Sequence, residues 1–284
     1  MAFVVSVINS KGGVGKTMVS VTLAEYLSAG AGKKTLVVDL DPQSSATFML
    51  IGMEKWFTLN KRNKTIYNVF LDALLETNYY HIKDAVIEGV SNVGGGIGKL
   101  DLLPASIEVN YLQDKLFQVK NPTTIIYDAL LPLIPDYDFV IIDCPPNLGL
   151  VTQNGLYFSD YYLVPCIPDI LSVYGIPQIQ HRIEMMKNPV RGDSVKGTLA
   201  PLGVVITKYR EDNPLHKGIT KLLRQKNLLG RVFKTMVADS VHISKAADYL
   251  RKTDSLENKY GPDHDNMKRL TGEFYHYVKS QNPS

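Results

Sequence analysis

Residues 10–17 read SKGGVGKT, a glycine-rich run that ends in Lys16 and Thr17. The run follows residues 3–8, whose apolar and β-branched side chains predict a buried strand. Residues 16–27 come next, and apolar side chains recur there at the spacing of a helix. A strand, a glycine loop and a helix in this order form the context that a phosphate-binding loop (P-loop) requires.

The residue types in this run suit a phosphate ligand for separate reasons. Gly12, Gly13 and Gly15 lack a Cβ atom, so the backbone can adopt positive φ angles and turn its N–H groups toward phosphate oxygens. The Lys16 ammonium can reach the β- and γ-phosphates of a nucleotide, and the Thr17 hydroxyl can ligate magnesium. The alternative, a glycine-rich turn with surface lysines, is disfavoured by the strand and helix predicted on either side.

The loop departs from the usual GxxxxGK[ST] pattern, because Ser10 stands where that pattern has glycine and Lys11 adds a cation. It resembles the deviant Walker A motif, KGGxGK[ST], of the ParA/MinD superfamily of ATPases. In that family the lysine matched by Lys11 reaches across a dimer interface to the phosphates bound by the partner subunit. The resemblance implies ATP and Mg²⁺ as cofactors and a homodimer that forms on ATP.

Two further segments end in carboxylates. Residues 35–38 predict a strand that leads into Asp39 and Asp41 of the sequence DLDPQ, and residues 137–143 predict a central strand that ends at Asp143. Carboxylates at the C-terminal ends of strands lie where open α/β sheets bind ligands. Taken alone, DLDPQ would favour a helix-capping aspartate followed by a proline turn, but it follows the glycine loop at βαβ distance and resembles the family's DxDPQ.

The resemblance extends over almost the whole chain. Residues 142–156 match the family segment IDCPPxLGxxTxNxL at most positions, and residues 104–106, PAS, resemble another family segment. Cys144, inside the longer match, is better interpreted as a small buried residue than as a nucleophile.

The resemblance and the loop chemistry together give the candidate site. The nucleotide-binding residues are expected to be Lys11, Gly12, Gly13, Val14, Gly15, Lys16, Thr17, Met18 and Lys208. The candidate catalytic residues are Lys11, Lys16 and Asp41, with Asp41 positioning the attacking water. Magnesium is expected on Thr17 directly and on Asp39, Asp41 and Asp143 through water.

The composition restricts the class of protein. The chain has 284 residues, of which 45% are hydrophobic and 21% charged, as is ordinary for a globular protein. Its two cysteines, Cys144 and Cys166, lie far apart, which favours a reducing compartment and disfavours an iron–sulfur or zinc site. No secretory signal or bilayer-spanning run is present, so we expect a cytoplasmic protein.

Positive charge is concentrated in residues 208–252, which have 11 Lys or Arg against 4 Asp or Glu. Within it, residues 214–229 predict a helix with two opposed stripes. Three cations, Lys217, Lys221 and Arg224, should share one arc, and the opposite side, Leu215, Ile219, Leu222 and Leu223, should be buried. The cations can bind DNA phosphates without base readout or form a solvated face, and the resemblance favours DNA. The candidate DNA-binding residues are Lys208, Arg210, Lys217, Lys221, Arg224, Arg251 and Lys252.

Two C-terminal segments depart from the family. After a strand predicted near residues 231–236, many relatives have a Pro-Arg turn and a basic segment before Ser-Glu-Ala, but residues 237–246 here read VADSVHISKA. This puts the adenine contact and one expected DNA arginine in doubt. MinD relatives end in a basic amphipathic helix that docks on membranes, whereas residues 263–280 predict a helix with acids and tyrosines, so we expect no membrane partner.

The remaining elements follow from local patterns. Strands are predicted at residues 100–103, 161–165 and 202–206, and helices at residues 65–75, 108–117, 122–131 and 173–186. Residues 51–64 and 188–198 are interpreted as loops.

These observations predict one doubly wound α/β domain over residues 1–284, with a mainly parallel sheet and the P-loop after the first strand. The resemblance implies a P-loop NTPase of the deviant Walker A (SIMIBI) type, close to short ParA (Soj-like) proteins without an N-terminal helix-turn-helix. Such a partition ATPase would dimerise on ATP, bind double-stranded DNA non-specifically and be released when a ParB-like or adaptor protein stimulates hydrolysis. It would be cytoplasmic and nucleoid-associated and would segregate plasmid or chromosomal DNA.

Four alternatives remain open at this point. They are a positioning ATPase of the same superfamily with a protein cargo, a MinD-like membrane-associated regulator, a metabolic P-loop enzyme such as a reductase component or a synthetase, and a tyrosine kinase of related loop type.

Overall fold

Six parallel strands form one sheet in the order β3-β2-β4-β1-β5-β6. The computed structural model describes residues 2–77, 80–187 and 198–281. The strands are β1 (Phe3–Val7), β2 (Thr35–Asp39), β3 (Leu100–Leu103), β4 (Phe139–Asp143), β5 (Tyr161–Cys166) and β6 (Ala200–Ile206). The strand order reverses beside β1, so the carboxyl ends of β1, β2 and β4 face a shared crevice.

Helices cover both faces of the sheet. One face carries α3 (Ile66–Leu75), α4 (Ile125–Leu130), α5 (Leu150–Phe158), α6 (Ile170–Met186) and α7 (Pro214–Lys226). The other carries α1 (Lys16–Glu25), α2 (Ser45–Lys61), α8 (Val241–Ala246), α9 (Leu256–Tyr260) and α10 (His264–Gln281). Because side chains alternate along a strand, Val4 packs into the first core and Val5 into the second. The predicted doubly wound α/β fold is confirmed.

A buried polar cluster fixes the far end of α1, the helix that begins at the P-loop. Glu25 accepts hydrogen bonds from Ser91 Oγ at 2.7 Å, from Lys259 Nζ at 2.6 Å and from the Tyr260 hydroxyl at 2.9 Å. Glu25 and Lys259 are both almost fully buried, so the ion pair is shielded from water. Removing either residue of the ion pair would leave the other as a buried charge without a partner, which is strongly destabilising. The ion pair therefore fixes the position of the end of α1 relative to α9.

The prediction of a loop at residues 51–64 is wrong, because residues 51–61 belong to α2. Gly52 interrupts the helical dihedrals, with φ 75° and ψ 166°. The apolar positions on the two sides of this kink do not share one stripe, so no helical period is visible in the sequence. Trp56, in the second half, is buried and donates Nε1–H to the Ala105 carbonyl at 2.9 Å.

Two other predicted elements differ from the structure. Residues 108–117 form short 3₁₀ turns, Ile107–Tyr111 and Leu116–Gln118, instead of one helix. Val109 and Leu112 are buried, and their i, i+3 spacing suits a 3₁₀ turn as well as an α-helix. Residues 231–236 form no strand in the described chain, only a bridge between Val204 and Val232. The segment still follows β6 through single backbone hydrogen bonds, from Phe233 N–H to the Val204 carbonyl and from Val237 N–H to the Ile206 carbonyl, but these are too widely spaced to form a continuous strand.

The other predicted elements match to within a few residues at their ends. The predicted loop at residues 188–198 lies outside the described residues except for Thr198. None of the described helices has the length and apolar character needed to cross a bilayer.

Candidate nucleotide site

The P-loop connects β1 to α1 at the carboxyl edge of the sheet. Gly13 has φ 72° and Gly15 has φ 83°, the left-handed conformations that glycine permits without strain. The Val14 carbonyl accepts a hydrogen bond from Thr207 Oγ1 at 2.7 Å, which fixes the loop to the end of β6. Lys16 lies at the start of α1 and is only 7% exposed. This backbone can present successive N–H groups to an anion at a helix N-terminus.

Asp143, at the end of β4, lies directly against the start of α1. It accepts hydrogen bonds from Thr17 Oγ1 at 2.8 Å and from Ser20 Oγ at 2.9 Å. Burial raises the pKa of the Asp143 carboxyl to about 6, although the two hydroxyls and Lys16 oppose that rise. Ser20 was not identified from the sequence, and its place one turn after Thr17 on the same helix face is the signal that could have identified it.

Asp39, at the end of β2, pairs in register with Asp143 and is fully buried. It accepts bonds from the backbone N–H and the hydroxyl of Thr47 at 2.8 and 2.7 Å, and from Asp41 N–H at 3.1 Å. Burial, and then the nearby Asp143, raise the pKa of Asp39 well above its ordinary value. Thr47 also accepts from Ala105 N–H at 3.0 Å, so it links the DLDPQ and PAS segments.

Asp41 lies beside this pair and is 8% exposed. Its Oδ1 accepts the Gln43 N–H at 3.0 Å, which is the capping turn that DLDPQ alone would predict. Its Oδ2 makes no hydrogen bond to a described residue. One oxygen of Asp41 therefore caps the turn, and the other is available to a ligand or water.

Lys11 lies at the mouth of the loop rather than among these carboxylates. Its Nζ pairs with Asp169, the residue that caps α6 by accepting the Ser172 N–H at 2.9 Å. Its own N–H donates to Asn9 Oδ1 at 2.9 Å, and Asn9 Nδ2 donates to the Pro165 carbonyl at 2.7 Å. Asn9 and Asp169 were not identified from the sequence, because neither belongs to a motif that by itself indicates phosphate binding.

The donor set fits magnesium held together with a nucleotide. Thr17, Asp39 and Asp143 offer hard oxygen atoms, which Mg²⁺ prefers, and Mg²⁺ usually takes few protein ligands beside phosphate and water. Among the described residues, no group of three or more His, Cys, Asp or Glu could hold a metal alone. A magnesium ion here would share these residues with phosphate and water ligands.

A small cavity of about 50 Å³ continues from the loop along the end of β6. Gly15, Met18 and Lys208 line it, together with residues 237–240 and the start of α8. Lys208 has φ 48°, so the chain turns sharply as it leaves β6. This places Met18 and Lys208, which are both expected to bind the nucleotide, together at one end of the P-loop.

The three cations of α7 share an exposed face, as predicted. They line a groove of about 460 Å³ whose other walls are Tyr209, Thr220, Gln225 and Met236. Arg224 Nη2 donates to the carbonyls of Phe233 at 3.5 Å and Lys234 at 3.2 Å, so its guanidinium is held in place. The Thr220 hydroxyl is buried and has no partner among the described residues.

Leu215 corrects the predicted apolar stripe. It is 58% exposed, while Ile219 and Leu223 are buried. Leu215 lies in the first turn, next to the Asn213 cap, and this end of α7 projects past the core that the later turns cover.

The structure does not bring Arg251 and Lys252 to this groove. Ile219 and Leu223 of α7 pack into the first core, whereas residues 247–255 connect α8 and α9 over the second. Lys252 Nζ lies 3.1 Å from the Tyr249 ring centroid, and Arg251 donates to the Asn258 carbonyl at 3.4 Å. The basic residues of the C-terminal third therefore lie on opposite faces of the sheet, and of the other predicted DNA-binding residues Lys208 and Arg210 flank Tyr209 of the groove.

Comparison with known proteins agrees with this arrangement. A family model described as "AAA domain" matches residues 2–194. Chromosome partitioning protein ParA of Myxococcus xanthus is 28% identical over 246 residues, which are 87% of this chain and 78% of that protein. Sporulation initiation inhibitor protein Soj of Bacillus subtilis is 30% identical over 250 residues, which are 88% of this chain and 89% of Soj.

Solved structures share the fold. Cobyrinic acid a,c-diamide synthase from Mycobacterium smegmatis, with bound ADP and magnesium, has a TM-score of 0.75 at 24% identity, covering 99% of this chain and 97% of that one. A plasmid partition protein from Borrelia burgdorferi bound to AMPPNP has a TM-score of 0.75 at 19% identity, covering 99% and 100%. The family match over most of the chain, the likeness to Soj and the lysine-bearing P-loop at the sheet edge together show that the protein belongs to the ParA/MinD superfamily of P-loop ATPases.

Proposed function

We propose that this protein, acting as one domain over residues 1–284, is a partition ATPase that dimerises on ATP and binds DNA without sequence preference. Hydrolysis, stimulated by a ParB-like or adaptor protein, breaks the dimer and releases the DNA, and this cycle segregates plasmid or chromosomal DNA. The protein works in the cytoplasm, on the nucleoid.

The observation that carries this proposal is the position of Lys11. Its side chain is 38% exposed at the mouth of the P-loop and reaches none of the carboxylates of its own site, Asp39, Asp41 and Asp143. A cation that only served its own nucleotide would be expected inside the loop, as Lys16 is. An exposed one can contact phosphates bound by a second copy, as the family resemblance implies.

Within one subunit, Lys16 and the backbone N–H groups of the loop bind the β- and γ-phosphates. Bound Mg²⁺ supplies charge neutralisation at these phosphates. The Thr17 hydroxyl donates a hydrogen bond to Asp143, so the lone pairs of the Thr17 oxygen stay available to the metal. Asp39 and Asp143 would help to hold the metal through its water ligands, and both carboxylates would have to be ionised to do so.

Asp41 orients the attacking water. Its Oδ1 is held by the Gln43 N–H, which fixes the carboxylate plane and leaves Oδ2 to accept a hydrogen bond from water. Lys11 from the second subunit stabilises the charge that develops on the transferred phosphoryl group. Hydrolysis is therefore tied to dimerisation, because one subunit lacks this second cation.

The α7 groove is the DNA-binding surface in this proposal. Lys217, Lys221 and Arg224 are exposed on one side of the helix and can neutralise neighbouring phosphates of the duplex backbone. Such contacts position a duplex without reading its bases.

Sedimentation velocity tests the proposal with ADP, ATP and a non-hydrolysable ATP analogue, with and without duplex DNA. We expect monomers with ADP, dimers with the analogue, and sedimentation with duplex only by the dimer. Lys16→Ala should lose nucleotide binding. Lys11→Ala should still bind nucleotide but should remain a monomer and should not bind the duplex. Lys55→Ala, which removes an exposed cation from α2, is the matched control. Dimerisation and duplex binding by Lys11→Ala at the level of the parent protein would contradict the proposal.

A further inference from the structure

A cavity of about 590 Å³, here called the α10 cavity, opens at the end of α1 that lies away from the P-loop. Its walls are the π-helical turn Tyr26–Gly30 that continues α1, the start of α9 and one face of α10. Its apolar lining consists of Tyr26, Leu27, Val93, Leu256 and Tyr275. All but Tyr275 are buried members of the second core, so the floor of the cavity is apolar and well packed. A concave apolar surface of this size is typical of a small-molecule site.

Two hydrogen-bond donors on α10, Lys268 and His264, also line the cavity. The Lys268 side chain is exposed and makes no hydrogen bond, ion pair or ring contact with any described residue. The Tyr26 hydroxyl lies 2.9 Å from His264 Nδ1 and 3.4 Å from the His264 carbonyl, so the ring nitrogen is its better acceptor. Burial raises the pKa of Tyr26 far above its ordinary value, so the phenol keeps its proton and donates it in this hydrogen bond. His264 Nδ1 is thus an acceptor, and Nε2 carries the proton that can be donated to a ligand.

The charges around the α10 cavity restrict the ligand to a single acidic group. Lys268 and His264 are four residues apart on one helix face, so one carboxylate or sulfonate can accept hydrogen bonds from both. Two exposed carboxylates, Asp254 and Glu257, line the wall at the start of α9 and disfavour a ligand with several negative charges, such as a nucleotide triphosphate.

The tyrosine rings in the lining favour an aromatic body, which can pack against them edge to face. We propose that the α10 cavity binds an aromatic carboxylate or sulfonate that carries one negative charge. The site is separate from the P-loop, and its ligand is additional to the nucleotide of the proposed ATPase function.

Three probes that share one apolar body test the charge preference. They are naphthoate, its uncharged amide naphthamide, and the cation naphthylmethylammonium. Their affinities for the parent protein are measured by displacement of anilinonaphthalene sulfonate, an aromatic sulfonate that fluoresces in apolar sites. We expect naphthoate to bind about tenfold more tightly than naphthamide, as a hydrogen bond to a charged group gives. Saturating ATP with magnesium should displace none of the sulfonate.

Two variants place the binding in the α10 cavity. Lys268→Gln should remove the preference for naphthoate over naphthamide, whereas Arg269→Gln, at the next residue of α10 and outside the cavity lining, is the matched control and should keep it. Gly272→Leu should weaken all three probes, because a Cβ atom there meets nothing within 4 Å and the leucine can occupy the cavity. The melting temperature of Gly272→Leu should not fall, since leucine favours a helix interior more than glycine does.

Several results would overturn this assignment. Equal binding of naphthoate and naphthamide by the parent protein would remove the acidic-group preference, and tightest binding of the ammonium probe would mean that Asp254 and Glu257 determine the charge of the ligand. Probe affinities that Gly272→Leu leaves unchanged, or no binding of any probe, would show that the α10 cavity is not a binding site for this class. Displacement of the sulfonate by ATP would place the probe in the nucleotide site instead.

Discussion

Lys11 and Asp169 form an ion pair that joins the mouth of the P-loop to the first turn of α6. Asp169 has a second role, because its Oδ1 caps α6 through the Ser172 N–H. Burial opposes the charge on Asp169, but the bonds from Lys11 and Ser172 outweigh it and hold the pKa of this carboxyl below its ordinary value. Lys11 must leave this partner before it can reach a second subunit.

Replacing Asp169 with serine separates these two roles. Serine caps a helix about as well as aspartate, so α6 should keep its stability, but it cannot hold Lys11. A partly exposed ion pair contributes about 0–1 kcal/mol, so the dimer should form with ATP at about two- to fivefold lower protein concentration. Sedimentation equilibrium across a concentration series measures this shift. A dimer that becomes weaker in Asp169→Ser would mean that Asp169 acts within the dimer and does not restrain the monomer.

Asp143 should make the metal-free protein less stable as the pH rises. Its folded pKa of about 6 exceeds the ordinary value of 3.8, so the folded state holds the proton more tightly than the unfolded state does. This contribution is fully present below about pH 4 and is lost as the pH rises through 6, on the order of 1 to 3 kcal/mol in total. Asp143→Asn should therefore gain stability relative to the parent protein between pH 5 and pH 7, measured by urea unfolding without magnesium. A difference that stays constant with pH would show that Asp143 does not titrate in this range.

Thr47 should contribute to stability more than its small size suggests. Its hydroxyl donates to the buried Asp39 and accepts from the Ala105 N–H. Thr47→Val keeps the volume but leaves both partners short of a hydrogen bond, which should cost about 1 to 3 kcal/mol of unfolding free energy. The control is Thr58→Val in the same helix, where the hydroxyl is exposed and bonds only to the Glu54 carbonyl. Equal losses of unfolding free energy in the two variants would show that Thr47 contributes no more to stability than an exposed threonine does.

The α7 groove predicts how DNA affinity depends on salt. Replacing Lys217, Lys221 and Arg224 together with alanine should lower duplex affinity and flatten the plot of log affinity against log salt by about 0.9 for each phosphate that is no longer neutralised. The matched control replaces Lys55, Lys61 and Arg62, which are three exposed cations on or beside α2. Fluorescence anisotropy at several salt concentrations measures both quantities. If the control variant flattens the slope as much as the α7 variant does, the α7 groove is not the specific DNA-binding surface.

The sequence by itself determined the architecture of the fold and the chemistry of the P-loop and its neighbouring carboxylates. Six strands, the P-loop and the carboxylates Asp39, Asp41 and Asp143 could all be predicted, because glycine spacing and strand-terminal acids are local patterns. The α7 cation stripe was also predictable, since helical periodicity depends only on nearby residues. A local pattern failed at α2, where Gly52 introduces a kink and a Cβ atom at that position would clash with the ring of Tyr249.

The tertiary structure decided which distant residues meet. Asp169 lies 158 residues from Lys11, and Asp239 reaches the P-loop cavity through hydrogen bonds to β6. Nothing in the residues near Thr47 indicates that its hydroxyl bonds to Asp39. The structure likewise separated Arg251 and Lys252 from α7, although all are close in sequence. The physical reason is that strand order and crossover direction, which depend on the whole core, determine which strand ends and faces become neighbours.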